Sequence, residues 1–225
     1  MATVEDTRHG SDAPAVELVD VVATLGDYPA LAGVDLTIAR GEVVALRGPN
    51  GAGKTTVLLV CAGLLGIARG GGRILGLDLV AERDAVRSRV GLIGHRNGLY
   101  GDLTVGENIR FWGATVGATD DEIAGAMASM AVAGRLADVQ VRRLSAGQRR
   151  RTALAVLMVR RAEVWLLDEP HSGLDASGRD ELDRVLRLAA ASGATIVVAS
   201  HELDRVTALA TRSVTVVAGR VAEGE

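Results

Sequence analysis

The sequence predicts an α/β fold: a sheet with parallel core strands, preceded by antiparallel strands and interrupted by a helical insertion. Three observations lead there. Short apolar runs alternate with helix-patterned stretches along most of the 225 residues. A glycine-rich loop, Gly48-Pro-Asn-Gly-Ala-Gly-Lys-Thr-Thr56, follows one apolar strand and opens a helix. From about Leu103 to Val159 the pattern turns helical.

Composition sets the bounds. With 48% hydrophobic residues the chain buries a full core as one domain, expected over residues 16–225, after a polar, acidic tail at residues 1–15. That tail reads as disordered, not as an export signal. A net charge of −3 argues against a general polyanion binder, and 2% aromatic residues leave few platforms for stacking bases, so no nucleic-acid partner is expected. Cys61 is the only cysteine, set among Val, Leu and Ala, and reads as a small buried hydrophobe. No apolar run approaches the roughly 18 residues that span a bilayer, so a membrane role is expected to come through a partner.

The elements follow in order. Val16 to Ile38 alternates apolar and polar residues, broken at Gly26-Asp27 and Ala32-Gly33, as antiparallel strands do. Glu42 to Arg47 is a buried strand, and Lys54 to Leu65 a helix. Gly70-Gly-Gly-Arg-Ile-Leu-Gly76 reads as a turn and a strand, and Val90 to Gly94 as another strand. In the helical region, about residues 96–160, Thr104-Val-Gly-Glu107 is a capping box, and Asp120-Asp-Glu122 puts acids in the first turn of a second helix. A strand (Val164 to Leu167), a helix (Gly178 to Ala191), a strand (Thr195 to Ala199), a helix from about Glu202 and closing strands complete the chain.

All but one of the 25 basic side chains are arginine, and the exception, Lys54, lies in the glycine loop. A compact ammonium fits between two phosphates where a planar guanidinium is too broad. In Gly48, Pro49, Asn50, Gly51, Ala52, Gly53, Lys54, Thr55 and Thr56, glycines let backbone N–H groups turn inward around a β-phosphate at a helix N-terminus. Lys54 then neutralises the β/γ oxygens and the Thr55 hydroxyl is a magnesium ligand. The chain therefore reads as a binder of a nucleoside triphosphate.

Asp168 and Glu169 end the strand Val164 to Leu167, on the ligand side of a parallel sheet. Asp168 would hold magnesium through water, and Glu169 would polarise an attacking water. Leu144, Ser145, Ala146, Gly147 and Gln148 start a helix whose N–H groups form a second phosphate cradle. Two cradles in one chain make sense if two copies face each other; the alternative is an ordinary Ser-capped helix. The run Arg149-Arg-Arg151 reads as a solvated face.

These segments, with Ser172-Gly-Leu-Asp175 and Ser200-His201, stand in the order and spacing of an ABC-type nucleotide-binding domain, which the chain resembles from about Val16 onward. The resemblance implies a P-loop NTPase, with an N-terminal antiparallel β subdomain and an inserted helical subdomain. It implies a head-to-tail homodimer that sandwiches ATP and Mg2+, with Glu169 as general base, His201 at the γ-phosphate, Asp175 communicating between sites and residues 144–148 serving the opposite subunit. It also implies an ATPase on the cytoplasmic face of the membrane, held there by integral membrane permease subunits.

Two departures stand out. The usual adenine-stacking aromatic is replaced by Leu25; Tyr28 is the substitute, or else a half-buried strand tyrosine. His95 occupies the place of a glutamine, where an imidazole nitrogen can meet magnesium or water. Gly94-His95 followed by Leu99-Tyr-Gly-Asp-Leu-Thr104 is similar to the ATPase subunits of haem exporters used in cytochrome c maturation. The alternatives are another small-molecule efflux system or a non-transport assembly ATPase. Phe111 and Trp112, adjacent on a helix, cannot both face a narrow apolar stripe. Tyr100 and Trp112 are accordingly the expected anchors for a membrane subunit.

Overall fold

The structure is a computed structural model and describes residues 13–94, 97–201 and 203–222. The tail up to Asp12 and the glutamine-replacing His95 lie outside the described residues. Ala15, expected in the tail, belongs to the fold: it is fully buried, its N–H donates to Ile38 O (2.8 Å) and its carbonyl accepts from Leu75 N (2.9 Å).

Two sheets organise the chain. The first is antiparallel and contains β1 (Val16–Leu25), β2 (Tyr28–Ile38), β4 (Arg69–Ile74) and β5 (Leu77–Asp78), in the order β2-β1-β4-β5. β1 and β2 turn at Gly26-Asp27 as the sequence predicts. Ala32-Gly33 does not end a strand; it is an irregularity inside β2, where the pairing slips between Val21–Val34 and Val22–Ala32. In the stretch read as a turn and a strand, Gly71 and Gly72 pair with Val19 and Leu18 in β4, and Gly70 stands at a register shift. The ladder with β1 outweighs the low strand propensity of glycine, and the actual turn comes at Leu75-Gly76.

The second sheet contains β3 (Val43–Arg47), β6 (Val90–Ile93), β7 (Val164–Asp168), β8 (Thr195–Ala199), β9 (Arg212–Val217) and β10 (Arg220–Ala222), in the order β10-β9-β3-β8-β7-β6. β9, β3, β8, β7 and β6 run parallel, and β10 closes a hairpin with β9. Alternate side chains serve two cores. Val44, Leu46, Leu166 and Val197 pack with the antiparallel sheet and with α1 (Lys54–Cys61) and α2 (Arg83–Arg89). Ala45, Leu167, Ile196 and Val198 pack with the helical region. Both faces are thus covered, as all-parallel strands require.

α1 stops at Cys61, short of the expected Leu65, because Gly63 takes a left-handed conformation (φ +64) and its N–H returns to Val60 O at 2.9 Å. Burial pushes the Cys61 thiol up to about 12, the behaviour of an inert core group. The sequence reading missed α2, which buries only Val86 and carries no apolar stripe.

The helical region consists of α3 (Val105–Ala114), α4 (Asp120–Ser129) and α5 (Ala146–Val159), with two short 3-10 turns before α5. All three helices open on capping boxes: Thr104 with Glu107, Thr119 with Glu122, and Ser145 with Gln148. α6 (Ala176–Ala191) follows β7 and α7 (Leu203–Leu209) follows β8. Because β7 is covered on both faces, Leu166→Ala and Leu167→Ala, both fully buried and in different cores, should each cost about 2–5 kcal/mol in urea unfolding. A near-neutral result for either would mean that its face of the sheet is open to solvent.

Candidate functional site

The site is built where β3, β8 and β7 end side by side. Leu46 and Asp168 are both register partners of Ala199, so the loop after β3 and the acids at the end of β7 leave the sheet at one level. The loop that follows β3 is shaped by contact. At Gly48, φ is +137 and a Cβ would lie 2.1 Å from the carbonyl oxygen of Val216, so any side chain would displace the loop. Its far side is tied to the β9–β10 hairpin, since Gly219 N donates to Ala52 O (2.9 Å).

Lys54, the first residue of α1, folds back over the loop, its Nζ donating to Gly48 O (2.7 Å) and Pro49 O (3.0 Å). The next hydroxyl, Thr55 Oγ1, donates to Asp168 Oδ2 at 2.8 Å. A cavity of about 360 Å³ is lined by Asn50 to Thr56, Asp168 and Glu169, with Leu25 and Ala30 at one side. Leu25, and not Tyr28, is among its lining residues; Tyr28 stands nearby on the hairpin, 80% exposed. Thr56, by contrast with Thr55, is buried.

Glu169 has an uncommon backbone, φ +48, for a residue that is not glycine. Three hydrogen bonds hold it: its N–H donates to Ala199 O (2.8 Å), and its carbonyl accepts from Ser172 N (3.1 Å) and Arg150 Nη2 (3.2 Å). Such over-determination is what keeps a strained conformation populated. The result is that the carboxylate meets the end of β8. Ser200 Oγ donates to Oε2 (3.1 Å), His201 N donates to Oε1 (3.1 Å), and His201 Nδ1 lies 2.8 Å from Oε2. The structure therefore brings Glu169 and His201 into direct contact, a pairing the motif order alone does not specify.

Arg150 corrects the sequence reading. The run Arg149 to Arg151 is not one solvated face: Arg150 is 7% exposed and bridges Gly94 O (3.3 Å) and Glu169 O (3.2 Å). Burial lowers its pKa, opposed by the nearby charges of Asp168 and Glu169. A helical periodicity count that marked position 150 as an inward face would have found it. Asp175 is the N-cap of α6, accepting from Gly178 N at 2.9 Å, and that bond leads the causes that hold its carboxyl below the usual range. α6 consequently begins at Ala176, two residues earlier than expected.

Leu144 to Gln148 are absent from the lining of the loop cavity. Leu144 is buried, and Ser145 caps α5 with its hydroxyl accepting from Gln148 N (3.2 Å). The aromatic cluster sits apart. Tyr100 contacts Phe111 edge-on (centroids 5.2 Å) and stacks near Trp112 (6.2 Å), and the Arg160 guanidinium lies 5.1 Å from the Trp112 centroid. Buried Asn108 fixes Tyr100 through its backbone, accepting from Tyr100 N (2.8 Å) and donating to Tyr100 O (3.0 Å). Trp112 packs against the helical core, whereas Tyr100 and Phe111 are 47% and 45% exposed. Trp112 also lines a groove of about 340 Å³ with Leu64, Arg87, Leu157 and Arg160.

Comparison with known proteins fits this geometry. The family model described as "ABC transporter" matches residues 31–172. The chain belongs to the ABC transporter family. As a member it is an ATP-binding ATPase. It is 36% identical over 196 residues to a cytochrome c biogenesis ATP-binding export protein CcmA of Cupriavidus pinatubonensis, covering 84% of each chain. It is 39% identical to the daunorubicin resistance ATP-binding protein DrrA3 of Streptomyces coeruleorubidus, over 88% of this chain and 64% of that protein. With the Nod factor export ATP-binding protein I of Rhizobium meliloti, identity is 32%, over 96% of this chain and 66% of the relative, so the chain spans about two thirds of these last two. A dimeric bacterial ABC transporter cassette superposes with a TM-score of 0.85 at 25% identity, over 93% of this chain and 97% of that one.

Arg150→Met keeps the apolar stem but removes the guanidinium donor to Gly94 O and one of the two donors to Glu169 O. It should lower stability by about 1–3 kcal/mol in denaturant unfolding without nucleotide. An unchanged midpoint would show that the Arg150 bonds to these two carbonyls do not contribute to stability.

Proposed function

We propose that the chain is the ATP-hydrolysing subunit of an exporter, working as a head-to-tail homodimer on integral membrane permease subunits at the cytoplasmic face. The observation that carries the reading is the Glu169–His201 contact at the mouth of the glycine-loop cavity. Backbone N–H groups of Gly48 to Thr56 wrap the phosphates, with Lys54 turning from the Gly48 and Pro49 carbonyls to the β/γ oxygens. Thr55 and Asp168, whose oxygens already lie 2.8 Å apart, fit a shared Mg2+ site, with His95 as a further candidate ligand. Bound there, the cation would neutralise charge on the phosphate oxygens.

Glu169 accepts the proton of the attacking water, and Ser200 and His201 set the direction of its carboxylate. His201, whose side chain is 72% exposed and meets Glu169 Oε2, is the group assigned to the γ-phosphate. Leu144 to Gln148, outside this chain's own cavity, are left to serve the nucleotide of a second copy. Asp175 lies between the two sites in that arrangement, and Tyr28 or Leu25 covers the base. A dimeric solved relative supports the pairing. Among the described residues no helix is long and apolar enough to cross a membrane, in keeping with a separate permease. Residues 16–225 form the ATPase domain in this reading, with the helical subdomain at about residues 96–160.

The exported molecule is read as haem, or a haem-linked step of cytochrome c maturation, on the similarity to CcmA over 84% of each chain. The relatives that carry daunorubicin resistance and Nod factor export favour a second reading, a different small-molecule efflux system. Deleting the gene and measuring covalent c-type haem in membranes separates the two: lost cytochrome c supports the first, unaltered cytochrome c the second.

Three further outcomes are expected. Lys54→Ala should abolish ATP turnover with an unchanged melting curve, and Glu169→Gln should bind ATP but stall hydrolysis, so that sedimentation with ATP and Mg2+ shows a dimer. A strict monomer at high concentration would remove the shared-site mechanism. Polar substitution of Tyr100 or Trp112 should weaken co-purification with the permease while ATP turnover of the isolated chain stays within about three-fold, as for a docking anchor away from the chemistry. Full co-purification of both variants would return these rings to the fold alone.

A further inference from the structure

A second set of ionisable groups lies behind the site, and nothing in the reaction described above uses it. His171 follows Glu169 by two residues and is 1% exposed; Asp183, on α6, is 6% exposed. His171 Nε2 lies 2.7 Å from Asp183 Oδ1. The other oxygen, Oδ2, accepts from Arg205 Nη1 at 2.8 Å, and the same nitrogen reaches Asp180 Oδ1 at 2.8 Å. One buried carboxylate thus has both oxygens engaged, each by a different segment.

The identity of those segments gives the cluster its meaning. His171 lies in the turn that joins Glu169 to Asp175. Arg205 lies on α7, the helix that follows His201. At their tips the two segments meet through Glu169 Oε2 and His201 Nδ1 (2.8 Å), and at their roots they meet through Asp183. Asp183 sits on α6 among buried Leu182, Val185 and Leu186, so it moves only with the core. A carboxylate in such surroundings requires partners, and removing one leaves it uncompensated. His171 Nδ1 is buried without a partner, which is tolerable for a lone pair and costly for an N–H. The tautomer with its proton on Nε2, donating to Asp183, satisfies both ends.

We propose that Asp183 is a positioning residue for ATP hydrolysis, with His171 and Arg205 as its two arms, setting the separation of Glu169 and His201 from behind. The inference rests on the reading of Glu169 and His201 given above. Asp183 is 6% exposed and is not among the residues lining the glycine-loop cavity, so its effect is on the turnover step. ATP capture, which belongs to Gly48 to Thr56, is independent of it.

The test is steady-state hydrolysis by the full chain, with kcat and KM for ATP resolved and nucleotide-free melting recorded. Asp183→Asn keeps the shape but turns an acceptor into a donor facing His171 or Arg205. His171→Phe fills the same space without a donor, and His171→Gln restores one. Displacing a catalytic group by a fraction of an ångström is enough for roughly a ten-fold loss, so Asp183→Asn and His171→Phe should lose about that in kcat with KM within about two-fold. His171→Gln should recover most of the loss. Glu169→Gln serves as the control for the underlying reading: if it hydrolyses ATP normally, the assignment of the base fails, whatever the Asp183 variants do. With that control arrested, kcat within about three-fold of the parent for both Asp183→Asn and His171→Phe overturns the proposal, as does a rise in KM at constant kcat. Failure of His171→Gln to recover while folded removes the donor role, and loss of a cooperative melt in both Asp183→Asn and His171→Phe reduces the cluster to an architectural contact.

Discussion

The register of three parallel strands carries the whole site. Ala199 of β8 is flanked by Leu46 of β3 on one side and Asp168 of β7 on the other, and the ladder lets none of the three slip alone. A shift of one residue would send Leu166 and Leu167 to each other's core and turn Asp168 away from Thr55. Burial on both faces therefore sets the alignment of the chemistry: the same apolar pattern that excludes water from Val164 to Leu167 delivers Asp168 and Glu169 to the cavity. The acids come at the first position where the strand leaves its two cores.

How much of this was legible in the sequence depends on whether the responsible contacts are local. The glycine loop, the capping box at Thr104, and the strand ending in Asp168-Glu169 are each written in fewer than about ten consecutive residues, within the reach of turn, cap and period rules. Their placement was correct. Where a distant partner decides the conformation, the reading failed. Where the turn falls within Gly70 to Gly76 is not set until β1 pairs with Gly71 and Gly72, and Arg150 looks solvated until Gly94 and Glu169 place carbonyls beside it. α2 shows no amphipathic stripe because only Val86 is buried, so no period announces it. His171 carries no local signal, since it lies in a turn and its partner Asp183 is on α6.

Charge is handled differently in front of the sheet and behind it. In front, the described groups assigned to phosphate or cation chemistry have partners within the chain: Lys54 on two carbonyls, Thr55 on Asp168, Glu169 on Ser200 and His201. Nucleotide binding on this arrangement exchanges one set of hydrogen bonds for another and strips no orphaned charge of water, which keeps the net cost of engagement low. Behind the sheet, Arg150, His171 and Asp183 are buried and partnered within the chain. The exchangeable contacts lie on loops and helix starts; the permanent ones run between helices and the ends of β7 and β8.

That division explains how a site with mobile partners keeps a defined geometry. Glu169 stands at φ +48, a conformation that a side-chain-bearing residue leaves readily unless held. Its side-chain contacts to Ser200 and His201 are the ones a bound triphosphate competes for, so they cannot be what holds it. The backbone contacts to Ala199, Ser172 and Arg150 can, because none of those groups faces the cavity. Arg150 belongs to α5, the helix that begins with Ser145 to Gln148. A displacement of that helix start is therefore felt at the carbonyl of Glu169 through one guanidinium. On the proposed pairing, in which Leu144 to Gln148 serve a second copy, that guanidinium links the helix start at one nucleotide to the proposed base at the other.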